Sequence, residues 1–202
     1  DATDLFARID ILTRYSTFVI LGAEESYGYL PLDIVRDKDG NASALAIAEL
    51  FAFLKSSKTK PLDFLDNLYK KYGYHEEKTE NLYFEGADGS EIIKKLAASY
   101  RSNQIEELAG VKVSGMKDFL EKGYIDEEEE ELPQENFLML KLENGFSVAI
   151  RPSGTEPKIK YYLFGCGEKN PIDLPGCKTE VSGKIQEMAS WLVSDAKERV
   201  RK

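Results

Sequence analysis

The sequence predicts an α/β fold over residues 1–104 followed by an α+β fold over residues 105–202. Residues 17–21 are β-branched and aromatic, end at a glycine and precede segments with helical periodicity, an order typical of α/β structure. The second part instead contains short strand-like segments around Asn144-Gly145, a strong two-residue hairpin signal, and ends in an amphipathic helix. This pattern indicates an antiparallel sheet that is backed by helix.

The elements of the first part are predicted mainly from helical spacing. Between residues 42 and 55 apolar side chains fall on nearly every side, which indicates a helix with little exposed face. Pro61 suits the first position of a second helix. Asp88, followed three residues later by Glu91, resembles a capping box and opens a third helix. Residues 81–84 are predicted to form a short strand between the last two helices.

Four predicted strands and a final helix make up the second part. The strand-like segments are residues 111–113, 137–142, 146–150 and 158–164. The final helix has one apolar stripe, formed by Val181, Ile185, Met188, Leu192, Ala196 and Val200. Residues 102–104, Ser-Asn-Gln, form the predicted hinge between the two parts.

The charge balance and the hydropathy argue against several functional classes. The net charge is −9, and six of the negative charges lie within residues 126–131, which we interpret as a solvated loop. An acidic chain does not suit a general nucleic-acid binder, which needs a basic face for phosphates. We expect no membrane association, because no apolar stretch is long enough to cross a bilayer and residues 1–30 lack the features of a signal peptide. Cys166 and Cys177 have no metal or redox spacing, so we expect reduced thiols and a cytoplasmic location.

The most informative segment for chemistry is residues 151–158, Arg-Pro-Ser-Gly-Thr-Glu-Pro-Lys, between two predicted strands. It combines a guanidinium fork, two hydroxyl donors and a glycine that lets backbone N–H groups approach an anion: Arg151, Ser153, Thr155 and Gly154. Positive charge on one face of the next strand is added by Lys158 and Lys160. Glu156 partly offsets that charge, so an anion site and a polar turn with no ligand are equal alternatives on spacing alone.

A second polar segment, Gly-Ala-Glu-Glu-Ser-Tyr-Gly at residues 22–28, follows the first predicted strand. Ligands of α/β proteins collect at the carboxyl ends of strands. Glu24 and Ser26 place a carboxylate and a hydroxyl two residues apart, which suits adjacent hydroxyls of a sugar, although a turn or helix cap is the simpler interpretation. Residues 36–40, Arg-Asp-Lys-Asp-Gly, do not form a calcium loop, because the glycine stands at the fourth position rather than the sixth. A salt-bridged turn is their simplest interpretation.

Together the three segments resemble the α-D-phosphohexomutase family, which comprises phosphoglucomutases and phosphomannomutases. Residues 24–28 look like the sugar-binding loop of the family's third domain, and residues 151–158 look like the phosphate-binding loop of its fourth domain. Residues 36–40 match a family segment in which the lysine reaches the substrate. The likeness runs from about Phe18 to the final helix.

The resemblance implies a role for each candidate residue. Glu24 and Ser26 would hydrogen-bond the sugar hydroxyls, and Lys38 would add positive charge near the substrate. The phosphate that is not transferred would be held by Arg151, Ser153, Gly154, Thr155 and Lys160. The implied reaction interconverts a hexose 1-phosphate and a hexose 6-phosphate through a phosphoserine and a bisphosphate intermediate.

Two parts of the family's machinery are not found in the sequence. It has no Ser-His-Asn type loop for the phosphoserine and no Asp-x-Asp-x-Asp run for magnesium. The only histidine is His75, which we interpret as a surface or packing residue. The chain is therefore expected to contain no catalytic and no metal-binding residue, and to be inactive alone.

We therefore expect a C-terminal fragment of a phosphoglucomutase-like enzyme. Residues 1–104 would be the end of the third domain, and residues 105–202 the fourth domain, whose fold in the family is similar to the TATA-binding protein. Mg²⁺ and the activator, a hexose 1,6-bisphosphate, would act in the full-length enzyme, and the partners would be the hexose phosphate and the missing N-terminal domains. The alternatives are a phosphomannomutase and a stand-alone, non-catalytic phosphosugar-binding module.

Overall fold

The computed structural model describes residues 21–24, 28–31, 37–86, 88–121, 123–125, 131–154 and 156–201. The chain divides into two compact units, Asp1–Leu65 and Asp66–Lys202. The division falls inside a helix, so the second unit starts before the first strand of its sheet.

The described part of the first unit contains a short hairpin followed by helix. Strand β1 (Gly22–Glu24) pairs antiparallel with β2 (Gly28–Leu30). Helix α1 (Gly40–Ser56) comes next, and α2 (Pro61–Tyr72) begins at the predicted proline. The strand predicted over residues 17–21 lies outside the described residues except for Leu21.

Helix α1 forms where it was predicted, but it is much more exposed than predicted. Its N-terminus is capped by Asp39, whose carboxylate accepts a hydrogen bond from the backbone N–H of Asn41 at 2.8 Å. The only buried residue of the helix is Leu54. Its exposed large apolar side chains are Leu45, Ile47, Leu50, Phe51 and Phe53. A helix that is apolar on every side needs neighbours on every side, and β2 covers only part of this one.

The second unit is built on one antiparallel sheet with two helices. Its strands are β3 (His75–Tyr83), β4 (Glu107–Leu108), β5 (Val111–Asp118), β6 (Leu138–Leu142), β7 (Ser147–Pro152) and β8 (Lys158–Cys166). Their order across the sheet is β3-β8-β7-β6-β5-β4. Helices α3 (Gly89–Ser102) and α4 (Leu174–Arg201) contact the sheet and each other. The segments predicted as strands in residues 105–202 are all confirmed, and β5 is longer than predicted.

The side chains of strand β8 alternate between a buried face and an open face of the sheet. Its fully buried side chains are Ile159, Tyr161 and Leu163. They alternate with the partly exposed Lys158, Lys160 and Tyr162, as the two-residue period of a strand requires. The helix α4 covers the buried face, and its predicted apolar stripe is buried except for Val200. The two lysines therefore share the open face, as predicted.

The contacts place β3 and α3 in the second unit, whereas the sequence grouped them with residues 1–104. Every residue of β3 pairs with β8, and α3 contacts both β7 and β8. The paired strands are about 80 residues apart in sequence. Local periodicity predicts elements but not such distant pairings, so the division of the family's domains at residue 104 stays a prediction.

Two local predictions differ from the structure in detail. Asp88 precedes α3 but makes no side-chain capping hydrogen bond, so the capping box does not form. The Asn144-Gly145 hairpin does join β6 to β7, but its loop has three residues, 143–145, between Leu142 and Phe146, which are hydrogen-bonded to each other. Within this loop only Gly145 has a positive φ, 84°, which is the pattern of a three-residue hairpin.

A bidentate ion pair joins the end of α3 to the end of β5. Arg101 donates from Nε and Nη2 to the two carboxylate oxygens of Asp118, at 2.7 and 2.9 Å, and both side chains are largely buried. The hydrogen bonds from Arg101, with one from the backbone N–H of Leu120, hold the pKa of Asp118 below its usual range. A carboxylate whose pKa falls on folding stabilises the folded state above its unfolded pKa, and this contribution is lost as the pH falls through the folded pKa.

We therefore expect Asp118→Asn to destabilise the second unit by about 1.5–3 kcal/mol at pH 7, the range for hydrogen bonds to charged groups. The difference from the parent should shrink as the pH falls below about 4, because the unfolded state takes up the proton first and the folded parent does so at its lower pKa. Urea unfolding followed by the fluorescence of Trp191, the only tryptophan, measures the difference in the free energy of unfolding at pH 7 and at low pH. A difference that stays constant from pH 7 to pH 3 would contradict a role for the carboxylate charge.

Candidate functional site

The loop between β7 and β8 is fixed by its own backbone hydrogen bonds. Ser153 N–H donates to the carbonyl of Lys158 at 2.9 Å, and Lys158 N–H donates to the carbonyl of Glu156 at 2.7 Å. The Oγ atom of Ser153 accepts a hydrogen bond from Glu156 N–H at 3.3 Å. From outside the loop, Phe84 N–H donates to the carbonyl of Pro157 at 3.0 Å. The described residues of the predicted phosphate segment therefore form a hydrogen-bonded turn. Thr155 lies outside the described residues.

This loop borders a cavity of about 520 Å³ at the end of the sheet. The residues that line it are Glu135, Asn136, Arg151, Pro152, Ser153, Gly154, Glu156, Lys158, Lys160 and Tyr162. The ladder explains why the cations converge, since Arg151 on β7 is the direct neighbour of Lys160 on β8. The structure thus brings four of the five predicted phosphate-binding residues, Arg151, Ser153, Gly154 and Lys160, to one cavity.

The cations of the cavity lie beside carboxylates and aromatic rings. Arg151 Nη2 is 3.8 Å from Glu135 Oε2, and both side chains are about half exposed. Lys158 forms an ion pair with Glu156, which holds the pKa of the lysine above its usual range. The Nζ atom of Lys158 also lies 5.6 Å from the ring centre of Tyr83. These contacts position the ammonium and guanidinium groups at the cavity wall.

Gly154 leaves space at the tip of the loop. A Cβ atom added there would have no neighbour within 4 Å, and the residue does not adopt a left-handed backbone conformation. The glycine is therefore not required by the fold. Close approach of an anion to its backbone stays a prediction, and the open space is consistent with that use.

The candidate sugar-binding residues lie in the first unit. Glu24 ends β1 directly opposite Gly28 on β2, and Ser26 lies outside the described residues. A Cβ atom on Gly28 would be 2.4 Å from Cγ and Cδ of Lys38, so the lysine side chain crosses the hairpin at this glycine. Its Nζ atom is 3.4 Å from Asp37, whose pKa is lowered mainly by the backbone N–H of Lys38. The structure thus brings the lysine segment and the predicted sugar segment together.

Three cavity residues lie outside the predicted phosphate segment, residues 151–158, and were not predicted to bind phosphate: Glu135, Asn136 and Tyr162. Tyr162 could have been found, because it follows Lys158 and Lys160 in the alternation of β8. Its ring centre lies 5.6 Å from Lys160 Nζ. Glu135 and Asn136 come from the connection between β5 and β6, and only the tertiary fold brings this connection to Arg151.

Neither a metal cluster nor a membrane span is found in the described part of the chain. No three His, Cys, Asp or Glu side chains of that part are grouped to hold a metal ion. No helix of that part has the length and the apolar character to cross a bilayer.

Comparison with known proteins identifies the family. Residues 11–72 match the family model described as phosphoglucomutase/phosphomannomutase, alpha/beta/alpha domain III. A phosphoglucomutase from Staphylococcus haemolyticus is 38% identical over 145 residues, which are 69% of this chain and 26% of the relative. One from Staphylococcus aureus is 35% identical over 150 residues, which are 72% of this chain and 27% of the relative. The chain belongs to the phosphoglucomutase/phosphomannomutase family.

A solved structure shows that the fold of this phosphohexomutase chain also agrees with the family. The open form of pp63/parafusin, a phosphoglucomutase from Paramecium, aligns over 90% of this chain and 31% of its own length, with a TM-score of 0.57 and 18% sequence identity. An α/β part from the third domain followed by an α+β C-terminal part, as predicted, is therefore confirmed. The chain spans about a quarter of the length of the curated relatives that it matches.

Proposed function

We propose that this chain carries the substrate-recognition loops of a phosphoglucomutase-like enzyme, which interconverts hexose 1-phosphate and hexose 6-phosphate through a phosphoserine and a bisphosphate intermediate. The observation that carries the proposal is the cavity at the β7–β8 loop, where Arg151, Ser153, Gly154 and Lys160 converge. The names of the curated relatives support the choice of reaction.

In this proposal the cavity holds the phosphate that is not being transferred. The guanidinium of Arg151 supplies a pair of parallel donors, and Lys160 supplies a point charge. Ser153, Gly154 and Thr155 add hydroxyl and backbone donors. These groups can bind the phosphate at either end of the sugar. The binding energy of the distal phosphate then positions the reacting end.

The sugar itself is recognised by the first unit in this proposal. Glu24 accepts hydrogen bonds from sugar hydroxyls, Ser26 donates to them, and Lys38 adds positive charge beside them. The contact between Lys38 and Gly28 supports this assignment, since it places the lysine at the hairpin that holds Glu24. Which hexose is preferred depends on these residues together with the rest of the enzyme.

The phosphoserine and Mg²⁺ belong to other domains in this proposal. Segments of the relatives outside the matched quarter would supply both, and these domains would be the partners of this chain. A hexose 1,6-bisphosphate would serve as the activator. The proposal includes a cytoplasmic location, which is supported by the two cysteines, neither of which forms a disulfide.

Replacing Arg151 by alanine tests the proposed phosphate site. We expect the binding of glucose 1-phosphate and of glucose 6-phosphate to weaken by about 1.5–3 kcal/mol, the range for hydrogen bonds to charged groups. Isothermal titration calorimetry on this chain measures both affinities. Arg201→Ala removes an equivalent charge from the exposed end of α4 and should leave them unchanged. Equal affinities for the parent and Arg151→Ala would contradict the proposed site.

A further inference from the structure

The strongest remaining feature of the cavity is a carboxylate that faces Arg151, the main residue proposed to bind the phosphate. Glu135 Oε2 lies 3.8 Å from Arg151 Nη2, on the wall of the same cavity. No family motif recognised in the sequence includes Glu135. A negative charge at this place would oppose a negatively charged ligand.

The backbone around Glu135 is fixed to the end of β5. Glu135 N–H donates to the carbonyl of Phe119 at 3.0 Å, and Phe137 N–H donates to the carbonyl of Glu135 at 2.8 Å. The rings of Phe119 and Phe137 also meet edge to face, with centres 5.2 Å apart. The carboxylate is therefore presented to Arg151 from an anchored position rather than from a loose end.

We propose that Glu135 is a resident counter-anion of the phosphate site, which weakens the grip of Arg151 on the phosphate and sets the affinity of the cavity. A ligand phosphate must displace this carboxylate from the guanidinium, and this competition costs free energy. The inference rests on the proposed function, because it assumes that Arg151 binds the phosphate.

The proposed reaction explains why a carboxylate that competes with the phosphate would be useful in this cavity. The same cradle must hold the phosphate at one end of the sugar, release it, and then hold the phosphate at the other end after the intermediate has turned. Tight binding of every phosphorylated state would not speed the reaction, because it stabilises ground states as much as transition states. A carboxylate that competes for Arg151 keeps the ground-state affinity low and the release fast.

Glu135→Gln tests the inference by removing the charge with little change of shape. We expect the affinity of this chain for glucose 1-phosphate to rise by about two- to fivefold, the effect that exposed ion pairs carry, and the dissociation rate to fall. The gain should decrease at high salt, which screens exposed charges. Glu143→Gln is the matched control, since it changes the net charge equally at the opposite end of the sheet and should leave the affinity unchanged.

The double variant with Arg151→Ala separates this inference from the proposed function. If Glu135 acts through Arg151, Glu135→Gln should change the affinity in the parent but not in the Arg151→Ala background. A weaker affinity in Glu135→Gln would show that the carboxylate positions Arg151 instead of competing for it, and would overturn the inference. So would an unchanged affinity, provided that Arg151→Ala still reduces binding. If Arg151→Ala has no effect either, the proposed phosphate site itself fails.

Discussion

Replacing Ile185 by alanine should lower the free energy of unfolding of the second unit by about 2–5 kcal/mol, the usual cost of deleting a large buried aliphatic side chain. Ile185 lies on α4 and is only 1% exposed. It packs on β8 at Gly165, where an added Cβ atom would be 2.8 Å from its Cδ1 atom. Gly165 has no side chain and its strand is paired on both sides, so β8 cannot fill the space and the cavity should stay largely open.

Trp191 makes the measurement specific to this unit. It is the only tryptophan of the chain, lies on the same helix as Ile185 and packs against the same core. Ile172→Ala is the matched control, because Ile172 is fully exposed and its loss should change the stability by less than about 0.5 kcal/mol. Equal urea midpoints for the two variants would contradict the packing of α4 on the sheet.

The packing of α4 on one face of the sheet also explains why the second unit was largely predictable from the sequence. Strand β8 alternates fully buried and partly exposed residues without interruption, and α4 repeats its apolar residues at helical spacing. Each element has one buried face, so the spacing of its apolar residues shows which side is buried. Helix α1 is the contrast. It is apolar on all sides, and the pattern that predicts its helix contains no information about what covers it.

The candidate site was predictable where a single loop builds it. Arg151, Ser153 and Gly154 are close in sequence, and the ladder adds Lys160, which is next to Arg151 in the register of β7 and β8. Glu135 was missed for a different reason. It meets Arg151 only because the β5–β6 connection is folded back onto the sheet end, through hydrogen bonds between residues 119 and 135 and between residues 119 and 137. No local pattern specifies that return.

Gly89→Ala should destabilise the second unit by about 1–3 kcal/mol, the typical cost of overpacking, although the same change usually stabilises a helix. Gly89 is the buried first residue of α3. An added Cβ atom would lie 2.0 Å from the carbonyl oxygen of Phe84 and 3.1 Å from Cβ of Pro157. Since the oxygen belongs to the backbone, relief requires α3 or the Phe84 segment to move.

That movement should reach the phosphate cavity. Phe84 N–H holds the carbonyl of Pro157, so a shift of Phe84 moves the loop that carries Ser153 and Gly154. We therefore expect Gly89→Ala to bind glucose 1-phosphate more weakly than the parent does, in calorimetry at a temperature where both are folded. A variant that loses stability but binds normally would show that the loop keeps its shape without this anchor.

Gly183→Ala is the control that gives the opposite sign. Gly183 lies exposed in the middle of α4, and an added Cβ atom would meet nothing within 4 Å. The substitution should stabilise the unit by about 0.5–1 kcal/mol through helix propensity and leave phosphate binding unchanged. If Gly89→Ala were also stabilising, the close approach of α3 to Phe84 would be refuted. Opposite signs at two helical glycines would show that packing against the loop, and not propensity, determines which residue can stand at position 89.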